Sequence, residues 1–247
     1  MSSTTHALRA ERVKFTTLPS QWAAPLVALA LTVGVTAAVS AAYGAKDHTP
    51  GEDPAVAIFY GLNFGHVAVA CLGILLIGQE FNTRMIGTSL TAVPRRGRLY
   101  CAKLALGTGL GLLLGLASTA GSFLAVGTTV GLDLSTPGLT RSFLAGVLYH
   151  PMMVLLCLGL TAMLGNFSAA LGLLAPMVFL GTTWLAAIPG VRELGQFLPD
   201  RAGLYATRTQ PEAGVHYGHW TGLLIMAVWT ALAVYGGLWA MRRYEQS

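Results

Sequence analysis

Three polar residues within long apolar stretches of the sequence could do chemistry there: Asn63, His66 and His150. Polar groups inside a membrane segment usually face the protein interior. They could therefore line a substrate pathway or serve as hydrogen-bonded structural groups, and both interpretations stay open. Metal binding by the two histidines would need further ligands, and none lies nearby in sequence. We therefore expect no metal site.

A membrane-embedded enzyme needs catalytic partners that this sequence lacks. Such enzymes use a serine with a histidine, paired acids, or a histidine and glutamate cluster. The apolar stretches contain almost no acids, Glu80 lies at the edge of one of them, and no HExxH motif occurs. The cysteines at 71, 101 and 157 match no metal-binding spacing and are expected to pack as apolar residues. The chain is not expected to be an enzyme or to hold a cofactor.

The elements that position these residues are apolar helices. Of the 247 residues 54% are hydrophobic and 10% are charged, whereas a soluble domain carries about 25% charge. Uncharged runs of about 18 residues or more recur, and each is long enough to cross the hydrocarbon core of a bilayer as a helix. The sequence predicts an all-α integral membrane protein with six transmembrane helices, at residues 22–43, 55–78, 104–127, 143–164, 168–188 and 220–241.

Charge distribution predicts the topology of a single transmembrane domain. With residues 1–21 as a cytoplasmic interfacial segment, spans within 22–241 and a cytoplasmic tail at 242–247, ten Lys and Arg residues lie inside and five outside, of 15 in total. This bias favours cytoplasmic termini. The net charge of +5 resides at membrane ends without interleaved aromatics, so it indicates lipid head groups as partners and no nucleic acid.

The segment between the second and third predicted spans, residues 78–104, carries the most information. It is too polar to span a membrane, and its apolar residues are spaced for a short helix on the membrane surface, ended by Pro94 and followed by Arg95, Arg96 and Arg98. The pattern alone allows two interpretations. The segment is either a positively charged membrane anchor or a docking element for a cytoplasmic partner.

This segment resembles the first cytoplasmic loop of the ABC-2 type permeases. That family commonly has an acidic residue, a Gly-Thr pair, then a proline and a basic cluster leading to a lysine. The matching residues here are Glu80, Gly87, Thr88, Pro94, Arg95, Arg96 and Lys103. The resemblance implies an ATPase-docking coupling segment formed by Glu80, Phe81, Asn82, Thr83, Arg84, Met85, Gly87 and Thr88.

Two further segments are similar to that family. Residues 8–22 resemble its interfacial connecting helix, with Glu11, Lys14 and Phe15 ahead of Trp22, although a simple cytoplasmic tail is the alternative. Residues 188–220 form the longest external segment, where the family commonly has a re-entrant helical hairpin. We expect a hairpin broken at Pro199, with an ordinary loop as the alternative.

The resemblance implies the membrane subunit of an ATP-driven exporter. Nothing resembles a Walker loop, so ATP and Mg would be bound by separate ATP-binding subunits, two copies of them, working with a second identical or related permease. The implied cargo is an amphipathic or hydrophobic compound such as a drug, peptide or lipid, and the implied location is a bacterial plasma membrane. An ion-coupled secondary carrier is the first alternative, and an intramembrane enzyme is the second.

Glycines recur every four residues on the third predicted span, at Gly107, Gly111 and Gly115. A face without side chains lets another helix approach closely, which favours association in lipid. The spacing predicts a helix-packing face.

Overall fold

The computed structural model describes residues 19–43, 53–82, 96–187 and 192–243. Regular structure in these ranges is entirely helical. The helices are α1 (Pro19–Tyr43), α2 (Pro54–Ile58), α3 (Leu62–Asn82), α4 (Arg96–Thr129), α5 (Leu139–Leu164), α6 (Phe167–Ala187), α7 (Arg192–Gly195), α8 (Pro199–Ala206) and α9 (His219–Arg243).

Five helices in the described part of the chain are long and apolar enough to cross a membrane: α1, α3, α4, α5 and α9. The fold is therefore that of an all-α membrane protein with five candidate spans. The backbone of α6 extends over 21 residues, but its apolar stretch with described side chains is the shorter segment Phe167–Val178. The sixth span stays a prediction.

The second predicted span differs from the structure because it is interrupted near its start. Helix α2 ends at Ile58, a turn follows, and α3 begins only at Leu62. The hydroxyl of Thr36 in α1 accepts a hydrogen bond from the Gly61 N–H at 3.0 Å and donates one to the Ile58 carbonyl at 3.3 Å. A Cβ at Gly61 would lie 2.0 Å from the Thr32 carbonyl oxygen, so only glycine allows this approach to α1. The turn is thus fixed by a neighbouring helix.

Helix α5 lies at the centre of the bundle, where it packs against α3, α4 and α9. Helix α3 also packs against α1 and α6. Small residues allow the close approaches: a Cβ at Gly73 of α3 would lie 2.3 Å from the Val154 carbonyl oxygen, and one at Gly159 would lie 2.5 Å from the Ala233 backbone. Backbone contact of this kind stabilises helix pairs in lipid, where burial of apolar surface contributes little.

Candidate functional site

A buried ion pair joins the C-terminal end of α3 to the N-terminal part of α4. The Lys103 Nζ lies 2.9 Å from the Glu80 Oε1, and the two side chains are 4% and 10% exposed. The same Nζ donates to the Leu76 carbonyl at 2.7 Å. A charge this buried is tolerated only when it is paired and hydrogen-bonded. We name this contact the α3–α4 ion pair; it joins the two helices on either side of residues 83–95.

The predicted docking residues divide into two groups. Glu80 is buried and engaged within the chain, Phe81 is partly buried against the apolar core, and the backbone of Asn82 ends α3. The others, Thr83, Arg84, Met85, Gly87 and Thr88, lie outside the described residues. The interfacial residues Glu11, Lys14 and Phe15 also lie outside them. The docking role stays a prediction, and Glu80 would act in it through Lys103.

The pairing of Glu80 with Lys103 was not predicted, although both residues belong to the motif. A signal for it was present in the sequence. Each residue is a lone charge at the edge of an apolar stretch, and the two stretches are consecutive. Opposite charges in such positions become buried together when the adjoining ends of the two helices meet.

A tyrosine ties α4 to α9 at the same end of the bundle. Tyr100 is fully buried, and its hydroxyl donates to the Val234 carbonyl at 3.1 Å. A Cβ at Gly237 would lie 2.4 Å from that hydroxyl oxygen, so the glycine leaves room for it. Since Tyr100 and Lys103 are three residues apart, they lie one turn from each other on α4. The ion pair and the Tyr100 hydrogen bond therefore connect α3, α4 and α9 at the same end of the bundle.

The three glycines of the predicted packing face lie in the contact between α4 and α5. A Cβ at Gly111 would be 2.5 Å from the Pro151 Cα, and one at Gly115 would be 2.4 Å from the Val147 carbonyl oxygen. At Gly107 the nearest atoms are side-chain methyls, at 3.2 Å or more. A side chain at Gly111 or Gly115 would thus meet backbone, whereas one at Gly107 would meet side chains that can adjust.

The three polar residues proposed for a pathway occupy different environments. His66 and His150 are buried, and the His150 Nδ1 lies 2.9 Å from the Gly146 carbonyl oxygen of its own helix. Asn63 is exposed, contrary to the expectation that it faces the interior, and its amide donates to the Tyr60 carbonyl at 3.0 Å. It caps the turn before α3. Within the described residues no group of three or more His, Cys, Asp or Glu could hold a metal ion.

A second polar cluster lies at the opposite end of the bundle, around residues 192–218, which we name the cap. The Asp53 carboxylate caps α2 by accepting from the Ala55 N–H at 2.9 Å. It also accepts from the N–H groups of Thr209 at 3.0 Å and Gln210 at 3.1 Å, and from the Thr209 hydroxyl. One carboxylate therefore joins the start of α2 to the segment that follows α8.

The first turn of α5 holds the same segment from another side. Arg141 donates to the carbonyls of Ala206, at 2.7 Å, and Arg208, while the Ser142 hydroxyl donates to the Thr207 carbonyl. The last carbonyls of a helix have no partner within it. Arg141 and Ser142 supply donors for those at and just beyond the end of α8, and so anchor that end on α5.

The cap contains two short helices where a hairpin broken at Pro199 was predicted. Helix α8 begins at Pro199, and its Gly203 lies against Tyr149 of α5 and Met226 of α9. The Tyr217 hydroxyl donates to the Gln196 carbonyl. Burial raises the pKa of that phenol to about 12, with nearby Arg201 opposing the rise. A re-entrant position for these helices in a bilayer stays a prediction.

Compared with known proteins, the sequence matches no family model and no curated protein. Its class is therefore defined by its fold and composition. It is an all-α membrane protein with several candidate spans, polar contacts at both ends of the bundle and glycine-mediated helix packing between them.

Proposed function

We propose that this chain is the permease subunit of an ATP-driven transporter of the ABC-2 type, with ATP hydrolysed by a separate subunit. The observation that carries the proposal is the α3–α4 ion pair. It joins the helices that precede and follow residues 83–95, and both of its residues belong to the segment whose sequence resembles the family's docking loop. A docking segment can transmit a displacement to the transmembrane helices only if the helices on both sides of it move together. The ion pair links α3 to α4 and would make them do so.

In the proposed mechanism, closure of two ATPase subunits displaces the docking segment. The α3–α4 ion pair and the Tyr100 hydrogen bond then make the adjoining ends of α3, α4 and α9 move together. Packed helices of this kind respond by rigid-body rotation rather than by bending. The rotation would expose a pathway between this chain and a second permease subunit.

The interior of the bundle supports a cargo of low charge. Residues 62–79, 104–129, 143–164 and 219–241 contain no Asp, Glu, Lys or Arg. The buried polar side chains in these stretches are Ser, Thr and His. A pathway built from them would offer hydrogen bonds without a fixed charge. This favours an amphipathic or hydrophobic compound over an ion.

Site-specific photo-crosslinking in the native host tests the docking. A photoreactive phenylalanine analogue is placed at Thr88 in the affinity-tagged chain, and a matched control carries it at Leu134, which is 79% exposed in the loop after α4. We expect Thr88 to crosslink to an ATP-binding protein and Leu134 not to. The purified complex should hydrolyse ATP in the presence of Mg²⁺. Crosslinks to lipid alone at Thr88, with no ATPase activity, would refute the proposal.

Charge exchange tests the role of the ion pair. Lys103→Glu places two buried acids together and should abolish coupled ATPase activity, as should Glu80→Lys, because the unpaired charges force the helix ends apart. The double exchange restores opposite charges and should recover much of the activity. A double variant as inactive as the single ones, yet folded and bound to its ATPase, would show that the pair does not transmit the displacement.

An ion-coupled carrier is the second candidate, and the two buried histidines favour it. The chain alone, reconstituted in liposomes, distinguishes the two functions. A carrier would accumulate a hydrophobic cation dye under a pH gradient without ATP. The ATP-driven permease would not do so until its ATPase subunit was added.

A further inference from the structure

The C-terminal end of α9 and the N-terminal end of α4 lie side by side. The Tyr100 hydroxyl contacts the Val234 carbonyl, and a Cβ at Gly97 would lie 3.9 Å from the Leu238 Cδ1. These antiparallel contacts place the first turn of α4 level with Leu238, about one turn before the end of α9. The last turn contains Arg242 and Arg243, and the first turn contains the backbone of Arg96 and Arg98. Four arginines therefore belong to two adjacent helix ends.

One of these arginines is held in place by an aromatic ring. The Arg243 Cζ lies 3.7 Å from the centroid of the Trp239 ring. Trp239 is 51% exposed, and both Arg242 and Arg243 are exposed. Among the described residues neither arginine forms an ion pair with an acid. Stacking orients the guanidinium plane yet leaves its N–H groups free to donate.

In the turns that precede the two arginines of α9, the helix presents an exposed apolar face. Trp239, Tyr235 and Leu232 follow one another at intervals of three or four residues, and Tyr235 and Leu232 are 71% and 61% exposed. The surface is thus cationic at its end and apolar along its length. Its charge and polarity match a molecule with an anionic head and a hydrocarbon chain.

We propose that Arg242, Arg243 and Trp239 form a binding site for an anionic phospholipid. The two guanidinium groups contact the head-group phosphate, and an acyl chain lies along Trp239, Tyr235 and Leu232. Guanidinium groups suit phosphate because their N–H groups match its oxygens in pairs. This proposal is independent of the transport function. It differs from general attraction of basic residues to a membrane because it requires the tryptophan as well as the charge.

Lipid retention tests the site. The full chain is reconstituted in nanodiscs of equimolar phosphatidylglycerol and phosphatidylcholine, and native mass spectrometry measures the ratio of the two lipids that remain bound. We expect wild type to retain phosphatidylglycerol preferentially. Arg242→Gln with Arg243→Gln should reduce the preference about fivefold per arginine. Trp239→Leu should reduce it severalfold with no change in charge, because Arg243 loses its orientation.

The matched control removes two charges at the other end of the bundle, by Arg192→Gln with Arg208→Gln, and should keep the wild-type preference. Elution and melting temperature identify variants that stay folded, which is expected because Arg242, Arg243 and Trp239 are exposed and Arg208 is only partly buried. A wild-type preference in the Arg242 and Arg243 double variant would overturn the proposal. A loss there, combined with an unchanged Trp239→Leu variant, would also overturn it, because charge alone would then explain the binding.

Discussion

Two glycines of α4, separated by two positions, give a direct test of how α4 packs on α5. A Cβ at Gly111 would lie 2.5 Å from the Pro151 Cα and 2.9 Å from its nitrogen, whereas a Cβ at Gly109 would meet nothing within 4 Å. We therefore predict that Gly111→Ala destabilises the protein and that Gly109→Ala does not. The two variants make the same chemical change in the same helix.

The size of the effect follows from these distances. Ala in place of an unconstrained helical Gly stabilises by about 0.5–1 kcal/mol. At Gly111 the new methyl group contacts the backbone of Pro151, which can move only together with the rest of α5. Reaching a normal carbon–carbon separation of about 3.5–4.0 Å requires a shift of roughly 1 Å between the helices. Overpacking costs about 1–3 kcal/mol, and contact with backbone atoms places Gly111 in the upper part of that range, at about 2–3 kcal/mol. After the gain of up to about 1 kcal/mol is subtracted, the net change at Gly111 is a loss of about 1–2 kcal/mol.

Thermal unfolding of the purified chain in detergent, followed by tryptophan fluorescence, measures the difference. A change of 1 kcal/mol shifts Tm by about 2–4 °C in a domain of this size. Gly111→Ala should therefore lower Tm by roughly 2–8 °C, and Gly109→Ala should leave it unchanged or raise it slightly. Gly107→Ala should be nearly neutral because side-chain methyls can adjust there, and Gly115→Ala should resemble Gly111→Ala. Equal Tm values for Gly109→Ala and Gly111→Ala would mean that Gly111 of α4 does not face α5.

Three further predictions concern the two ends of the bundle. Asp53→Asn removes the charge that accepts from residues after α8, so hydrogen exchange at the Thr209 amide should accelerate about tenfold or more; unchanged exchange would contradict the capping role. Tyr100→Phe removes one hydrogen bond without changing shape and should lower Tm by about 2–4 °C, and an unaltered Tm would show that the bond contributes nothing. In a cysteine-free background, an impermeant maleimide applied to intact cells should label a cysteine at Ala213 but not one at Ser247, and the reverse pattern would invert the predicted topology.

The positions of the long helices could be predicted because bilayer thickness sets the length of an apolar run. The first predicted span, 22–43, and the last, 220–241, each lie within a few residues of α1 and α9. The interruption before α3 could not be predicted in this way. The residues of the turn, Phe59 to Gly61, carry no charge that would mark a break. Its position depends on Thr36, which belongs to another helix.

The polar contacts at the two ends of the bundle could be predicted from the sequence only in part. Asp53 and Arg141 contribute charge on the predicted external side, and sequence reasoning used them for topology alone. Their partners lie at or just after the end of α8, 156 residues beyond Asp53 and 65 beyond Arg141. No local pattern connects residues so far apart. Glu80 and Lys103 were nearer and belonged to one motif, but their contact depends on how the adjoining ends of α3 and α4 meet, while each helix packs more extensively on α5 than on the other.

The contacts that hold this bundle differ in kind along its length, and this difference bears on how it could move. At one end α3, α4 and α9 are joined by an ion pair and a hydrogen bond, and at the other the cap is joined to α2 and α5 by directional hydrogen bonds. Between them α4 and α5 meet through glycines that make no directional bond. Van der Waals contact across a smooth face resists separation more than it resists small rotation, whereas hydrogen bonds are lost as their geometry changes. We therefore expect any tilt of α4 on α5 to pivot about the glycine face, with the ends of α3 and α4 moving as one body.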